Sequence, residues 1–554
     1  KPNNENEIDD GVHEKMLKDE SKISPIKDTT EVKFISENGD TKIDIETVKQ
    51  ALSGMGKEEL MKFANDPFWI RLRWFLFVTF WLLWVAMLAG AIAIVVMAPK
   101  CTAPKPKEWW ERSSIVQLDP VETNTHDLKG VESLLNVLKE QNINAISLAS
   151  IVKALIKAAK DREQYIILEL DPTHTSIEHP WFKRSIEREE PFSSYYVWAD
   201  AKITSDGKRN PPNNWLSVYG GSAWEWNEQR AQYYFHQFNK TQPELNYNNP
   251  TVVTEFSDIL SHWIKLGISG FRLANIQYLI EDPNLHDEFR SVIPTEADNY
   301  NSLVHAYTRD RPENVGILTK WQERIYNETE NKGLVFIVYD NSISRFFALQ
   351  DDIGTDMLEV YNEKKRLIDI PQNSLFLTTA DSSINATILK HGISHWLTLT
   401  SWPAWDINGK KHSLRERMPA DIADSLTLMI LLLPGTPVLK LNDTLSAKDA
   451  FATLSKARES LTFLYGETML ETINGSVLVY TRLKSGNPGY LVAYQSAEEP
   501  IVVDFSIIPQ ISEEVSVIAY SPNYVQDGET RTKLPSNKVP ISAKSTIVLT
   551  FVPK

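Results

Sequence analysis

The chain of 554 residues is 42 % hydrophobic and carries a formal charge of −15, from 73 Asp and Glu against 58 Lys and Arg. That acidic balance leaves no basic stripe to displace phosphate counterions, which excludes nucleic acid as a partner. The length exceeds what one hydrophobic core usually covers, and a single cysteine, Cys101, rules out an internal disulfide.

Residues 1–42 are polar and charged with few aromatics, the composition of a disordered tail. Residues 43–64 place apolar side chains near helical spacing and end at the breaker Asn65-Asp66-Pro67, which predicts a juxtamembrane helix. Residues 74–98 (WFLFVTFWLLWVAMLAGAIAIVVMA) are uncharged and apolar. At about 1.5 Å per residue this run is roughly 37 Å long, enough to cross a hydrocarbon core of about 30 Å. It is longer than the apolar region of about 7–15 residues in a cleaved signal peptide. Ala86, Ala89, Gly90 and Ala93 are spaced to let another membrane helix approach. With no ionisable residue, the span offers no substrate path of its own.

Basic residues nearly balance across the span: Lys57, Lys62, Arg71 and Arg73 precede it, and Lys100, Lys105, Lys107 and Arg112 follow it. Orientation is read instead from the N-x-S/T sequons at Asn239, Asn327, Asn385, Asn442 and Asn474, all after the span. They predict an extracellular C-terminal part, a cytosolic N-terminus and five candidate N-glycosylation sites. An unpaired Cys101 just outside the bilayer is then either a free thiol or one half of an intermolecular bridge.

Past a Pro- and Lys-rich neck, short apolar runs at 114–119, 145–150, 165–170, 270–275, 315–320, 334–340, 374–381 and 437–441 alternate with helical patterns. Eight such runs predict an α/β fold, a closed (β/α)8 TIM barrel. A long Trp-, Tyr- and Pro-rich stretch after the third run predicts an inserted subdomain. From 473 onward short alternating runs predict an antiparallel β domain. The expected division is a tail and juxtamembrane helix (1–73), the span (74–98), a neck (99–110), the barrel (111–472, insert about 174–250) and the β domain (473–554).

The runs DPTHTSIEHPWF, PFSSYYVWADAK, PPNNWLSVYGGSAWEWNEQRAQYYFHQFNKTQPELNYNNP, GISGFRLA and LLLPGTPV together resemble the α-glucosidase and α-amylase glycoside hydrolases over most of 109–554. Such enzymes need two carboxylates flanking the scissile bond, held at the C-terminal ends of barrel strands. The resemblance puts the nucleophile Asp after the Gly-Phe-Arg run of the fourth strand, where this chain has Ala274. It puts the acid/base Glu at the end of the fifth strand, read here as Lys320, and the His of an Asn-His-Asp run at Ala380. His174, Arg272 and Asp381 are retained, Thr173 stands where Asn is usual, and Glu169 replaces an Asp. The loop after the second strand is nearly absent, and the acidic motif after LLLPGTPV is reduced to Lys440-Leu441-Asn442-Asp443. A methyl group cannot attack an anomeric carbon, and one lost member removes most of a catalytic pair's effect. Glu281, Asp282 and Glu323 lie near these strand ends in sequence and do not replace the pair. The ectodomain is therefore expected to be no enzyme, with no cofactor and no metal.

A membrane-anchored, silent glucosidase-like ectodomain resembles the heavy-chain subunits of heteromeric amino-acid transporters. The likeness sharpens at Gly56-Lys57-Glu58-Glu59-Leu60, Trp69-Ile70-Arg71-Leu72-Arg73-Trp74, Met87-Leu88-Ala89-Gly90-Ala91, Ala98-Pro99-Lys100-Cys101 and Trp109-Trp110. The inserted subdomain is more similar to the rBAT-type heavy chains and the insect maltases. The resemblance implies a polytopic light-chain amino-acid transporter as partner, a disulfide from Cys101, and a single-pass plasma-membrane location in contact with lipid. The alternatives are a membrane-anchored α-glucosidase and a surface adhesion or receptor ectodomain.

Overall fold

The computed structural model describes residues 57–98, 104–118, 128–149, 153–292, 294–329, 335–340, 369–373, 376–409, 412–525 and 532–554. The tail, most of the predicted juxtamembrane segment and Cys101 lie outside the described residues. The chain divides into two units, Lys1–Ala103 and Pro104–Lys554.

In the first unit, helix α1 (Lys57–Ala64) ends before helix α2 (Pro67–Met97) begins. Asp66 starts α2 as N-cap, its side chain accepting from the Phe68 N–H at 3.1 Å, and Pro67 takes the first helical position, where its missing N–H costs nothing. The helix therefore starts seven residues ahead of the apolar run. It is long and apolar enough to cross a membrane, and none of its residues is buried by protein.

In the second unit, eight parallel strands close a barrel. In order around it they are Ile115–Leu118, Ala145–Leu148, Tyr165–Leu170, Gly270–Ala274, Val335–Asp340, Ile370–Asn373, Ala404–Asp406 and Thr436–Lys440. The predicted barrel is present, but two of its strands are not the predicted ones. Residues 315–320 belong to the helix Glu313–Thr329, where Ile317, Leu318, Trp321 and Ile325 recur at helical spacing on its buried side. Residues 377–379 form a 3-10 turn just after the sixth strand. The sixth and seventh strands are short and carry Pro371 or follow Pro403, which hides them from a β-propensity reading.

The segment between the third strand and the helix Pro250–Leu266 holds a three-stranded sheet and a two-stranded hairpin, which build the inserted subdomain. After the barrel, a six-stranded antiparallel sheet begins at Glu467–Ile473, six residues earlier than the alternating pattern indicated. Its inner face packs a core that includes Val479, Leu491, Phe505 and Leu549.

The barrel is sealed at the N-terminal end of its strands. Trp110, 4 % exposed, packs among Ile115, Ala145, Ile167, Ile370, Ala404 and Val438. Trp109 stacks on Tyr165 at 4.2 Å, and Lys107 lies 4.4 Å above the Trp402 ring. Fully buried Arg458 gathers the neck and the eighth strand together, donating to the carbonyls of Arg112 (3.2 Å), Glu111 (3.4 Å), Leu431 (2.6 Å) and Gly435 (2.8 Å). Burial pushes its guanidinium down to about 9. Gly435 sits at φ +133°, and a Cβ there would meet the Pro403 carbonyl and the Trp405 indole nitrogen at 2.5 Å. Replacing Arg458→Leu removes the donor from three buried carbonyls, those of Glu111, Leu431 and Gly435, and should cost about 3 kcal/mol or more. A lowered urea midpoint for the unfolding of residues 104–554 checks this.

Candidate functional site

Barrel enzymes work at the C-terminal ends of their strands. In this chain that end is occupied by a network among the protein's own side chains. Arg272, on the fourth strand, donates from Nη1 to Glu169 Oε1 at 2.8 Å and from Nε to Gln372 Oε1 at 3.0 Å. Its Nη2 lies 3.7 Å from Asp406 Oδ2. Glu169 Oε1 also accepts from Gln117 Nε2 and Ser147 Oγ, each at 2.8 Å, and Gln372 Nε2 donates to Asp406. Strands one, two, three, four, six and seven thus each contribute one side chain to a single connected layer.

The two carboxylates in this layer are driven apart. Burial raises Glu169, but the Arg272 charge and the hydrogen bonds from Gln117, Ser147 and Arg272 outweigh it and hold the carboxyl below its usual range. Burial pushes Asp406 up to about 6, against the opposing pull of Arg272 and the Asn408 N–H. Such separation marks acid/base pairs in working enzymes. Here Glu169 is already bonded to Arg272 and Asp406 to Gln372, and Asp406 is 4 % exposed.

Ala274 ends the fourth strand two residues past Arg272, so the position expected for a nucleophile carries a methyl group. Lys320 does not end the fifth strand. It is exposed on the helix Glu313–Thr329, and the strand register sets Ile337 and Tyr339 beside Arg272 and Ala274, with Asp340 last. Ala380 follows the sixth strand rather than the seventh, and Arg417 donates to its carbonyl. The seventh strand runs instead into Ile407-Asn408-Gly409, where Asn408 Nδ2 donates to Asp443 at 2.8 Å. Both misplacements follow from the two misread strands.

His174 belongs to a separate chain of bonds at the third strand's exit. Gln242 Nε2 lies 2.7 Å from its Nε2, which makes that ring nitrogen the acceptor and leaves the proton on Nδ1, 2.9 Å from Thr173 Oγ1. Thr173 in turn donates to Asp171 at 2.8 Å. Burial lowers His174 against the pull of Asp171, consistent with a neutral ring. Asp381 is exposed and closes its own turn, accepting from the Ser383 N–H at 2.9 Å. It does not join Arg272 or His174. Of the other carboxylates near the strand ends, Glu281 and Asp282 are buried and Glu323 is exposed on a helix. Burial pushes Glu281 up to about 8 and Glu244 well above its ordinary value.

The second strand ends at Leu148 and the next helix starts at Lys153, so little chain is available for a pocket-forming loop. The eighth strand passes directly into the helix Leu441–Leu445, with Asp443 turned back onto the Lys440 N–H at 2.9 Å. Gln117, Ser147, Gln372 and Asp406 were missed in the sequence. The available signal was a polar residue standing in a buried strand, as in IVQL, AISL, IPQN and AWD.

Because Asp406 titrates higher when folded than when unfolded, the native state binds the extra proton and stability falls as pH rises from about 4 to 6. This one group should contribute on the order of 2–3 kcal/mol across that window. Urea midpoints measured against pH should lose that component in Asp406→Asn.

Residues 40–116 match the Solute carrier family 3 member 2 N-terminus model, and residues 147–408 match the Alpha amylase catalytic domain model. The amino acid transporter heavy chain SLC3A1 of Rattus norvegicus is 28 % identical over 482 residues, covering 78 % of this chain and 67 % of the relative. Its Homo sapiens counterpart is 29 % identical over 70 % of this chain, and Maltase 1 of Drosophila virilis is 30 % identical over 62 %. The chain spans only 61 % and 59 % of the length of these last two. Among solved structures, the α-glucosyl transfer enzyme XgtA superposes with a TM-score of 0.63 at 20 % identity, covering 80 % of this chain and 100 % of that one, a likeness of fold. In its membrane segment and its barrel alike, the chain resembles an amino-acid transporter heavy chain built on an α-glucosidase-like ectodomain.

Proposed function

We propose that this chain is a catalytically silent ancillary heavy chain that pairs with a polytopic light-chain amino-acid transporter and supports its surface expression and transport. The observation that carries the reading is Ala274, a methyl group where the resemblance puts the nucleophile, two residues past an Arg272 already bonded to Glu169 and Gln372. The relatives named as amino acid transporter heavy chains support the transporter half of the reading. Among the described residues one helix is long and apolar enough to span a membrane, and its run from Trp74 to Met97 carries no charge, which supports an escort rather than a conduit.

In this reading residues 1–73 are cytosolic, the chain crosses the plasma membrane once, and the neck, barrel and β domain are extracellular. All five sequon asparagines are exposed, which is compatible with glycans on that side. Cys101 joins the light chain by a disulfide, favoured by the oxidising compartment outside the membrane. The anchored α-glucosidase reading draws on the maltase relatives and is disfavoured by Ala274.

The purified protein should hydrolyse neither maltose nor an aryl glucoside above background. Ala274→Asp alone should restore no turnover, because Arg272 stays committed and the loop after the second strand is missing. Robust hydrolysis by the unmodified chain overturns the reading. On non-reducing gels of membranes, Cys101→Ser should collapse a reducible heterodimer band to two monomers while part of the transport survives. An unchanged band pattern rejects the disulfide.

A further inference from the structure

Helix α1 has eight residues, and among the described side chains Glu58, Met61, Lys62 and Phe63 are exposed. Met61 and Phe63 are 63 % and 50 % exposed, and they flank the strip that runs through Ala64. Glu58 and Lys62 occupy the opposite side of the helix. The apolar strip continues past the break at Asn65-Asp66 into Phe68, Trp69 and Ile70, which are also exposed. Helices shorter than about 12–15 residues are marginal in water, so one this short needs an apolar phase to lie against.

The elbow between the helices is held by a specific bond. Arg73 Nη2, from the second turn of α2, donates to the Ala64 carbonyl at the end of α1 at 2.8 Å. It supplies a cation to the carbonyl end of the helix, where the dipole favours one. Lys62 and Arg71 lie on either side of the elbow, and Trp69 and Trp74 carry the amphipathic rings that favour a membrane–water boundary.

We infer that α1 lies in the plane of the phospholipid bilayer, at the boundary of headgroups and acyl chains where α2 begins, and that the Arg73–Ala64 elbow sets the depth of the span. The occupant of the strip is lipid because the strip is continuous with the apolar surface of α2, and Lys62 and Arg71 complement the phosphates beside it. An interfacial helix of this kind buries its apolar face about 5–10 Å into that boundary. The inference rests on reading α2 as a membrane span.

The test uses the full chain in a Cys101→Ser background, which leaves no native thiol. Single cysteines at Met61→Cys, Phe63→Cys, Glu58→Cys, Lys62→Cys and Val85→Cys carry an environment-sensitive fluorophore in vesicles of phosphatidylcholine and phosphatidylserine. Probes at 61 and 63 should shift to the blue and be quenched by a nitroxide near the headgroup. Probes at 58 and 62 should remain water-like, and the probe at 85 should be quenched by a nitroxide near the end of the acyl chain. Adding Arg73→Gln should narrow the contrast between 61 and 58. Water-like emission at 61 and 63 with a deep probe at 85 overturns the inference and leaves the span intact, whereas a water-like probe at 85 defeats the span. A blue shift at 61 and 63 that appears only after a transporter partner is added also overturns it, because the strip would then be covered by protein.

Discussion

A guanidinium group inside a barrel must be matched by charge and hydrogen bonds or expelled. Arg272 is matched by Glu169 on one side and by Gln372 and Asp406 on the other, and the remaining polar groups of the layer are arranged around those bonds. The consequence is chemical as well as structural. Side chains that an open mouth would present to a ligand are spent on one another. Removing any one of them would leave a charge or an amide unpaired in a low-dielectric interior, so the layer persists or fails as a unit.

The two ends of the barrel have separate roles. At the N-terminal end, Trp110 and Arg458 tie the entering neck to the strands and to the last helices of the barrel, which makes the attachment segment part of the folded unit. At the C-terminal end the loops are short or turned inward, as at Lys153 and Asp443. Stability and function usually divide between these ends in barrels of this type. Here the stabilising end is elaborated, and at the other end the polar side chains of six strands are bonded to one another.

Most of the architecture was legible because it is written in local patterns. Buried parallel strands such as YIILEL read as continuous apolar runs, and the strands of the β domain alternate cleanly. The reading failed where pattern was thin. NVGILTKWQ is apolar enough for a strand over six residues and declares itself a helix only over seventeen, through Ile317, Leu318, Trp321 and Ile325. AWD, three residues long after a proline, gives no period at all. Those two positions moved the fifth and seventh strands, and with them the sites assigned to Lys320 and Ala380. Ala274 was unaffected, because the Gly-Phe-Arg run before it is part of a strand that the sequence marks plainly.

By itself the sequence determined the apolar span, the barrel class and the Ala274 that ends the fourth strand, since each depends on residues close together along the chain. Only the tertiary structure decided which side chains meet at the C-terminal end of the barrel. Glu169 and Arg272 are 103 positions apart, and Arg272 and Gln372 are 100 apart. Each looks like an isolated polar residue in an apolar run until barrel closure sets the register of the strands. The same closure turned a set of scattered Gln, Ser, Glu and Asp residues into partners, because hydrogen bonds require approach within about 3 Å and composition carries no distances.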